Sequence, residues 1–446
     1  MKGECLAFPE VGLTVKELQK AEPLLETFVS SFRSVFRRSE QASWFHYYLR
    51  GLLSDAPRKS VEAMVLHQSG VDGNLVRAVQ HFLTNAQFDT ERLARMYQQY
   101  ALASLASEQE VFVLDGSDFP KQGASSAGVA RQRCGQLGKV ANCQAGVFLG
   151  LTSPQGNALL AGRLYIPQAW FAPQQAALRA KCGIPETQDF QTKNQLALAL
   201  LEAAALDSQK ESRWVVFDDG FGHCQGLLDS LGQGGWRYMA QVSGATCLFQ
   251  TPPEVGRERT GTRGPRPTRL RILGHDKAQE VQAFVSTLQD DVWETHVWKE
   301  GTKGPMRESF AILRVWNARR KNARTTLPGE EVWLVVRKGK EANERKYWLS
   351  NAPKETSHEE LLRICASRWS IETMFKDCKQ LLGMGDYEVR SQDGWMRHTT
   401  MAMMAHFFLR FFGNLGEATP RALHCPSAPS SQLSSSRGRV EPWNGV

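Results

Sequence analysis

The chain has 446 residues, 42% of them hydrophobic and 22% charged, the balance of a folded protein with room for two or three domains. No apolar run reaches the roughly 18 residues of a membrane span. The nearest candidate, 401–412, is interrupted by His406 and Arg410, and the N-terminus lacks the apolar stretch of a signal peptide, so a cytoplasmic location is expected. Nine scattered cysteines without a CxxC pair argue against a disulfide framework or a zinc ribbon. The net charge is +8, and residues 251–350 alone carry 20 basic against 13 acidic side chains, an excess of the kind a phosphate backbone attracts.

Residues 1–108 read as a helical bundle. Leu18, Leu24, Leu25, Phe28, Phe32, Val35 and Phe36 recur at helical spacing, a second helix runs from Trp44 to Leu53, and Leu75–Leu83 and Glu91–Ala106 supply more. Arg33, Arg37, Arg38 and Arg50 give it a basic surface, so a DNA-binding domain and a packing bundle fit it equally. From 109 to 244 the pattern is mixed α/β. Val111–Leu114 is a buried strand ending on Asp115, Cys143–Leu151 and Ala158–Ile166 are two more, Thr192–Leu206 is helical, and Trp214–Phe217 is a strand ending on Asp218 before Trp236–Val242. Two buried strands that each stop at an aspartate predict an open α/β sheet with a site at the strand ends. Residues 245–352 read as a β-rich basic insertion. Its strands are Asp291–Trp298, Glu308–Trp316, Glu331–Arg337 and Arg345–Ser350, with Arg257, Arg259 and Arg263 in a loop and Trp298 offering a stacking surface. Helices follow over Ser357–Leu382 and Trp395–Phe412 within 353–416. The Ser- and Pro-rich stretch 417–446 is expected to be disordered.

Three acids stand out by context: Asp115, Asp218 and the mid-helix Glu372. Each alone is weak, but together they form a set of hard oxygen donors suited to two divalent ions for phosphoryl transfer, Mg²⁺ or Mn²⁺ rather than zinc. On one continuous helix Cys365, Arg368, Glu372 and Lys379 fall on one face, at −7, −4, 0 and +7. Cations beside a carboxylate can hold phosphate oxygens. The plain alternative is a surface ion pair between Arg368 and Glu372, worth tenths of a kcal/mol.

The chain resembles the bacterial insertion-sequence transposases of the DDE superfamily. The matching stretches are Asp115 with Phe119-Pro120-Lys121 and Gly123, Val129–Val140, Leu164–Pro167 with Trp170, Asp218 with Phe221-Gly222, Gly301–Pro305, and Arg368-Trp369-x-Ile371-Glu372-x-x-Phe375 with Lys379. The last corresponds to a Tyr-Arg-Glu-Lys helix motif whose tyrosine is here Cys365. Gly116 also replaces a frequent acid, and Phe221 a frequent tyrosine. The resemblance implies an RNase H-like core with its β-rich insertion between the second and third acids, and Asp115, Asp218 and Glu372 as Mg²⁺ ligands. It further implies Arg368 and Lys379, with Lys121, as phosphate contacts. The partners it implies are double-stranded DNA (terminal inverted repeats and target) and a second copy of the chain in the DNA complex. Asp118 and Asp219 are the rival first and second ligands. An end-binding protein without catalysis and a metal nuclease without strand transfer are the alternative functions.

Overall fold

Five helices come first, and polar side chains fix where several of them begin. In a computed structural model that describes residues 13–207, 213–257, 270–273, 276–301, 304–322, 325–339 and 344–413, α1 (Val15–Ser30) starts at Thr14. Thr14 and Glu17 cap each other's backbone amides. After α2 (Ser39–Leu53) and α3 (Val61–Ser69), Asp72 accepts from the amides of Asn74 and Leu75 to start α4 (Gly73–Thr84). Asp89 does the same through Arg92 for α5 (Thr90–Leu105). Each such cap contributes about 1 kcal/mol.

The sheet then forms as β1 (Val111–Pro120), β2 (Ala130–Cys134), β3 (Lys139–Ser153) and β4 (Gly156–Tyr165), with β3 antiparallel to the other three. Helices α6 (Ala176–Lys181) and α7 (Lys193–Asp207) lead to β5 (Arg213–Phe217). A single turn α8 (Asp219–Gly222) and α9 (Gln225–Gln233) lead on to β6 (Trp236–Val242). β5 lies parallel to both β1 and β6. Antiparallel β1, β3 and β4 followed by parallel β5 and β6, with the short β2 added beside β3, is the RNase H-like arrangement that the resemblance implies.

The β-rich segment does not stand apart from this sheet. It supplies the short β7 (Cys247–Phe249), β8 (Val255–Gly256), β9 (Arg271–Ile272) and β10 (Gln279–Glu280), the helix α10 (Val281–Ser286), and then β11 (Glu294–Gly301), β12 (Gly304–Asn322), β13 (Thr325–Lys338) and β14 (Arg345–Ser350). β14 pairs antiparallel with β6, so the order across the sheet runs β10, β7, β12, β13, β14, β6, β5, β1, β3, β2. Arg259 and Arg263 lie outside the described residues, as does the stretch 417–446; Arg257 is exposed just after β8.

Two sequence expectations change. β1 does not stop at Asp115: its antiparallel ladder with β3 continues from Val111↔Thr152 to Pro120↔Cys143, and only the parallel pairing to β5 ends, at Leu114↔Phe217. The helix expected over 357–382 is two, α11 (His358–Ser367) and α12 (Trp369–Gln380), meeting at Arg368.

The last helix, α13 (Gln392–Gly413), explains the most apolar stretch of the chain. It is buried on nearly every side because the bundle covers one flank and the sheet the other. A helix covered all round needs no polar stripe. The Phe28 ring of α1 stacks on Phe407 at 6.0 Å and meets Phe408 at 5.8 Å. The Tyr97 hydroxyl of α5 lies 2.6 Å from the Leu159 carbonyl of β4 and 3.0 Å from the Met403 carbonyl of α13. One apolar cluster therefore runs from Leu18 through the sheet to Phe412. Among the described residues no helix is long and apolar enough to cross a membrane.

Candidate active site

β1 and β5 are neighbours, and their parallel pairing ends one residue before Asp115 and one before Asp218. Both aspartates thus leave the ladder side by side, at the carboxyl ends of adjacent parallel strands. The Gly116 amide donates to Asp115 Oδ1 at 2.6 Å. Asp218 caps α8, its Oδ1 accepting from the Gly220 amide at 3.1 Å.

Little solvent reaches Asp115. Burial, and then the neighbouring Asp218 carboxylate, push its carboxyl up to about 7, against the lowering pull of the Gly116 amide and Arg368. Asp218 is also raised, by burial and by Asp219, while Arg368 and the amides of Gly220 and Phe221 pull it down. Two adjacent carboxylates with too little positive charge around them are what such shifts describe.

Arg368 reaches all three acids. Lying at the junction of α11 and α12, it is φ −56°, ψ −34°, so the chain stays helical in conformation while the element breaks. Its guanidinium hydrogen-bonds to Glu372 one turn on and lies 3.9 Å from Asp115 Oδ2. The expected i, i+4 pair is therefore present. It is not a surface pair, because the Arg368 side chain is 15% exposed and also faces Asp115. Glu372 is more open than Asp115, at 37% against 18%.

The other members of the expected helix face do not join this group. Cys365 is buried in α11, and burial pushes its thiol up. Lys379 turns to β1 instead: its Nζ donates to the Asp118 carbonyl at 3.0 Å and to Gln136 Oε1 at 3.2 Å, over the Phe119 ring. Lys121 sits just past β1, donating to the Tyr387 carbonyl at 3.0 Å and lying 3.4 Å from the centre of its ring. Both lysines are committed to the fold. Of the rival acids, Asp118 has its Oδ2 bound to the Gly135 amide at 2.6 Å, and, three residues from Asp115 on a strand, it points to the opposite face. Asp219 is exposed on α8.

Trp298 packs between Phe310 and Trp348, with Arg337 over its ring at 5.2 Å. It forms one wall of a cleft of about 120 Å³ that reaches Arg368 and Trp369. Arg337, paired to Glu308 at 3.0 Å in that cleft, and Gln136, which holds Lys379, are site neighbours for which sequence reading provides no role. The signal for Gln136 is its place in the Val129–Val140 stretch.

Asp115, Asp218 and Glu372 offer only hard carboxylate oxygens, the donor set of Mg²⁺ or Mn²⁺. Among the described residues no three acidic, histidine or cysteine side chains are arranged to hold an ion as they stand. Arg368 occupies Glu372, while the Asp115–Asp218 pair retains the charge deficit that a cation would relieve. The residues fit a divalent ion on that ground.

A family profile described as DDE superfamily endonuclease matches residues 31–305, a span that includes Asp115 and Asp218 and ends before Arg368. Over 135 residues, 29% of this chain, the sequence is 28% identical to the probable transposase for insertion sequence element IS701 of Microchaete diplosiphon. That stretch covers 35% of the relative's length.

Proposed function

The chain belongs to the DDE superfamily endonucleases, and on that premise we propose that it is an insertion-sequence transposase. It binds the ends of its element, cleaves there, and joins the freed 3′-hydroxyls to target DNA. The observation that carries the reading is the Asp115–Asp218 pair on adjacent parallel strands, with Arg368 linking it to Glu372.

Asp115, Asp218 and Glu372 hold divalent metal, Mg²⁺ or Mn²⁺, in this reading; when bound it supplies Lewis-acid polarisation of the phosphodiester and lowers the pKa of a bound water. The residues themselves do the positioning. β1 and β5 fix the two aspartates through ladders on either side, and the Gly116 and Gly220 amides orient their carboxylates. Arg368 exchanges Glu372 for phosphate oxygens, for which its planar fork is suited. The substrate is double-stranded DNA, at terminal inverted repeats and then target, and the active complex is a homodimer. The bundle and the β-rich segment, through Arg257, Arg259, Arg263 and Trp298, contribute duplex contacts.

Incubating the protein with labelled element ends, target plasmid and Mg²⁺ tests this. Joined products are expected, and they should vanish in Asp115→Ala, Asp218→Ala and Glu372→Ala. Cut but unjoined DNA would reduce the function to a nuclease, and shifted but uncut DNA to end binding. Mg²⁺ should also raise the thermal midpoint of the wild type and fail to do so in Asp218→Ala, a readout independent of activity.

A further inference from the structure

The basic excess has a second centre outside residues 251–350. From Phe119 to Pro185 the chain contains no aspartate or glutamate, while seven lysines and arginines fall in the same stretch. Two of these are spoken for: Lys121 lies against Tyr387, and Arg163 pairs with Glu91 of α5. Arg131, Arg133 and Lys139 are different. All three are exposed, and none has an acidic partner among the described residues.

They share one structural feature. The last β3 residue paired with β1 is Cys143, and residues 139–142 of β3 pair only with β2, through Cys134↔Lys139 to Arg131↔Asn142. β2 is the terminal strand of the sheet. Residues 130–142 are therefore a two-stranded antiparallel ribbon beyond the β1–β3 ladder, with Asn142 bonded to Lys121 and the turn resting on Asp118 of β1. Alternation turns Gln132 and Cys134 toward the protein and Arg131 and Arg133 outward, beside the exposed Val140, while Lys139, opposite Cys134 at the turn, is exposed at the other face of the ribbon. Gly138 closes the turn at φ +64°, a conformation that favours glycine. The tip bears Leu137 and Val140, 45% and 56% exposed.

The ribbon is also tied to the carboxylates. At its turn the Gly135 amide donates to Asp118, three residues from Asp115, and Gln136 accepts from Lys379 of α12, the helix that carries Glu372. In the sheet order it lies on the far side of β1 and β5 from the β-rich segment. Charge on an edge strand protects it against pairing with other chains. That accounts for Arg131 and Arg133 but not for Lys139, the apolar tip or the stretch without acids.

We propose that the β2–β3 ribbon enters the major groove of the duplex being cut, on the side of the scissile phosphate away from the β-rich segment, with Arg131, Arg133 and Lys139 on the phosphates. The inference rests on the endonuclease reading of the site and on the general fit of a two-stranded β-ribbon to that groove. A nuclease acting within a continuous duplex needs DNA held on both sides of the phosphate it cuts, and the ribbon supplies the second side.

The test is the salt dependence of binding of a random-sequence duplex, measured by fluorescence anisotropy without metal. The variant combines Arg131→Ala, Arg133→Ala and Lys139→Ala in the full chain. The slope of log affinity against log salt should become less steep by about 0.9 for each phosphate no longer neutralised, hence by about 2.7 for three. Arg131→Lys with Arg133→Lys, Lys139 intact, should retain the wild-type slope, since a point charge suffices for a phosphate. An unchanged slope in the alanine variant overturns the proposal. So does loss of a second bound duplex while the slope for the first is unchanged, which would make the ribbon a target-DNA contact. Because the readout needs neither element ends nor cleavage, it separates from the transposase reading. A wild type that joins no DNA, beside an alanine variant with the shallower slope, keeps the ribbon and loses the transposase. A wild type that joins DNA, beside an alanine variant with an unchanged slope, does the reverse.

Discussion

Replacing Lys379 by methionine is expected to loosen α12 from β1 rather than to strip a phosphate contact from the site. The lysine ammonium lies 5.2 Å from the centre of the Phe119 ring and makes two charge-assisted hydrogen bonds, to the Asp118 carbonyl at 3.0 Å and to Gln136 at 3.2 Å. Hydrogen bonds from a charged donor contribute about 1.5–3 kcal/mol each. Against them stands the burial that lowers the Lys379 pKa, a cost that methionine removes while keeping the apolar stem. The net loss should be about 1–3 kcal/mol, read as a lower urea midpoint at unchanged slope. Activity should fall through kcat with KM little changed, because Glu372 sits two turns back on the same helix, about 10 Å along its axis, and loses its anchoring. A variant with wild-type stability that binds DNA more weakly would refute this reasoning and return Lys379 to a phosphate.

Asp118→Asn should keep cleavage and lose about 1 kcal/mol of stability, since its Oδ2 serves the Gly135 amide; a dead Asp118→Asn beside an active Asp115→Asn would exchange their roles. Lys121 is lowered from 10.5 to about 8, by burial first. The cost of its charge is then fully present below pH 8 and is relieved as pH rises toward 10.5. Compared with Lys121→Met, the wild type should thus gain at most about 3 kcal/mol of stability over that range in urea titrations, and parallel curves would contradict it. Phe407→Ala, in the ring cluster with Phe28, Tyr97 and Tyr100, should cost about 3–5 kcal/mol and lower a single thermal transition. A separate early transition for the bundle would show that the core is not shared.

What the sequence reveals and conceals follows from how far each signal reaches. Val111–Leu114 and Trp214–Phe217 stop being apolar at an aspartate, and the parallel ladder does end there. That pattern reports burial between two layers, so it is legible without coordinates. The continuation of β1 past Asp115 is not legible, because Gly116, Ser117 and Asp118 look like a turn, and only pairing with β3 keeps them extended. The division of the expected helix into α11 and α12 is not legible either, because Arg368 keeps helical backbone angles and no glycine or proline announces the boundary. The half of the expected helix face that survives, Arg368 with Glu372, spans one turn and needs no long axis. For Lys379 and Lys121 sequence shows a charge but not the carbonyl that it holds in this structure.

The position of α13 sets the order in which this protein can be made. During synthesis the five helices of residues 13–105 emerge first, yet Phe28, Tyr97 and Tyr100 face rings that lie beyond residue 406. Contacts closed across more than 300 residues are slow to form, and apolar surface left waiting for them invites association between nascent chains. The bundle completes its packing only when the ribosome has finished nearly all of the described chain. A message interrupted before α13 would leave α1–α5 without the helix they close upon, so that neither a free bundle nor a free sheet would accumulate in folded form.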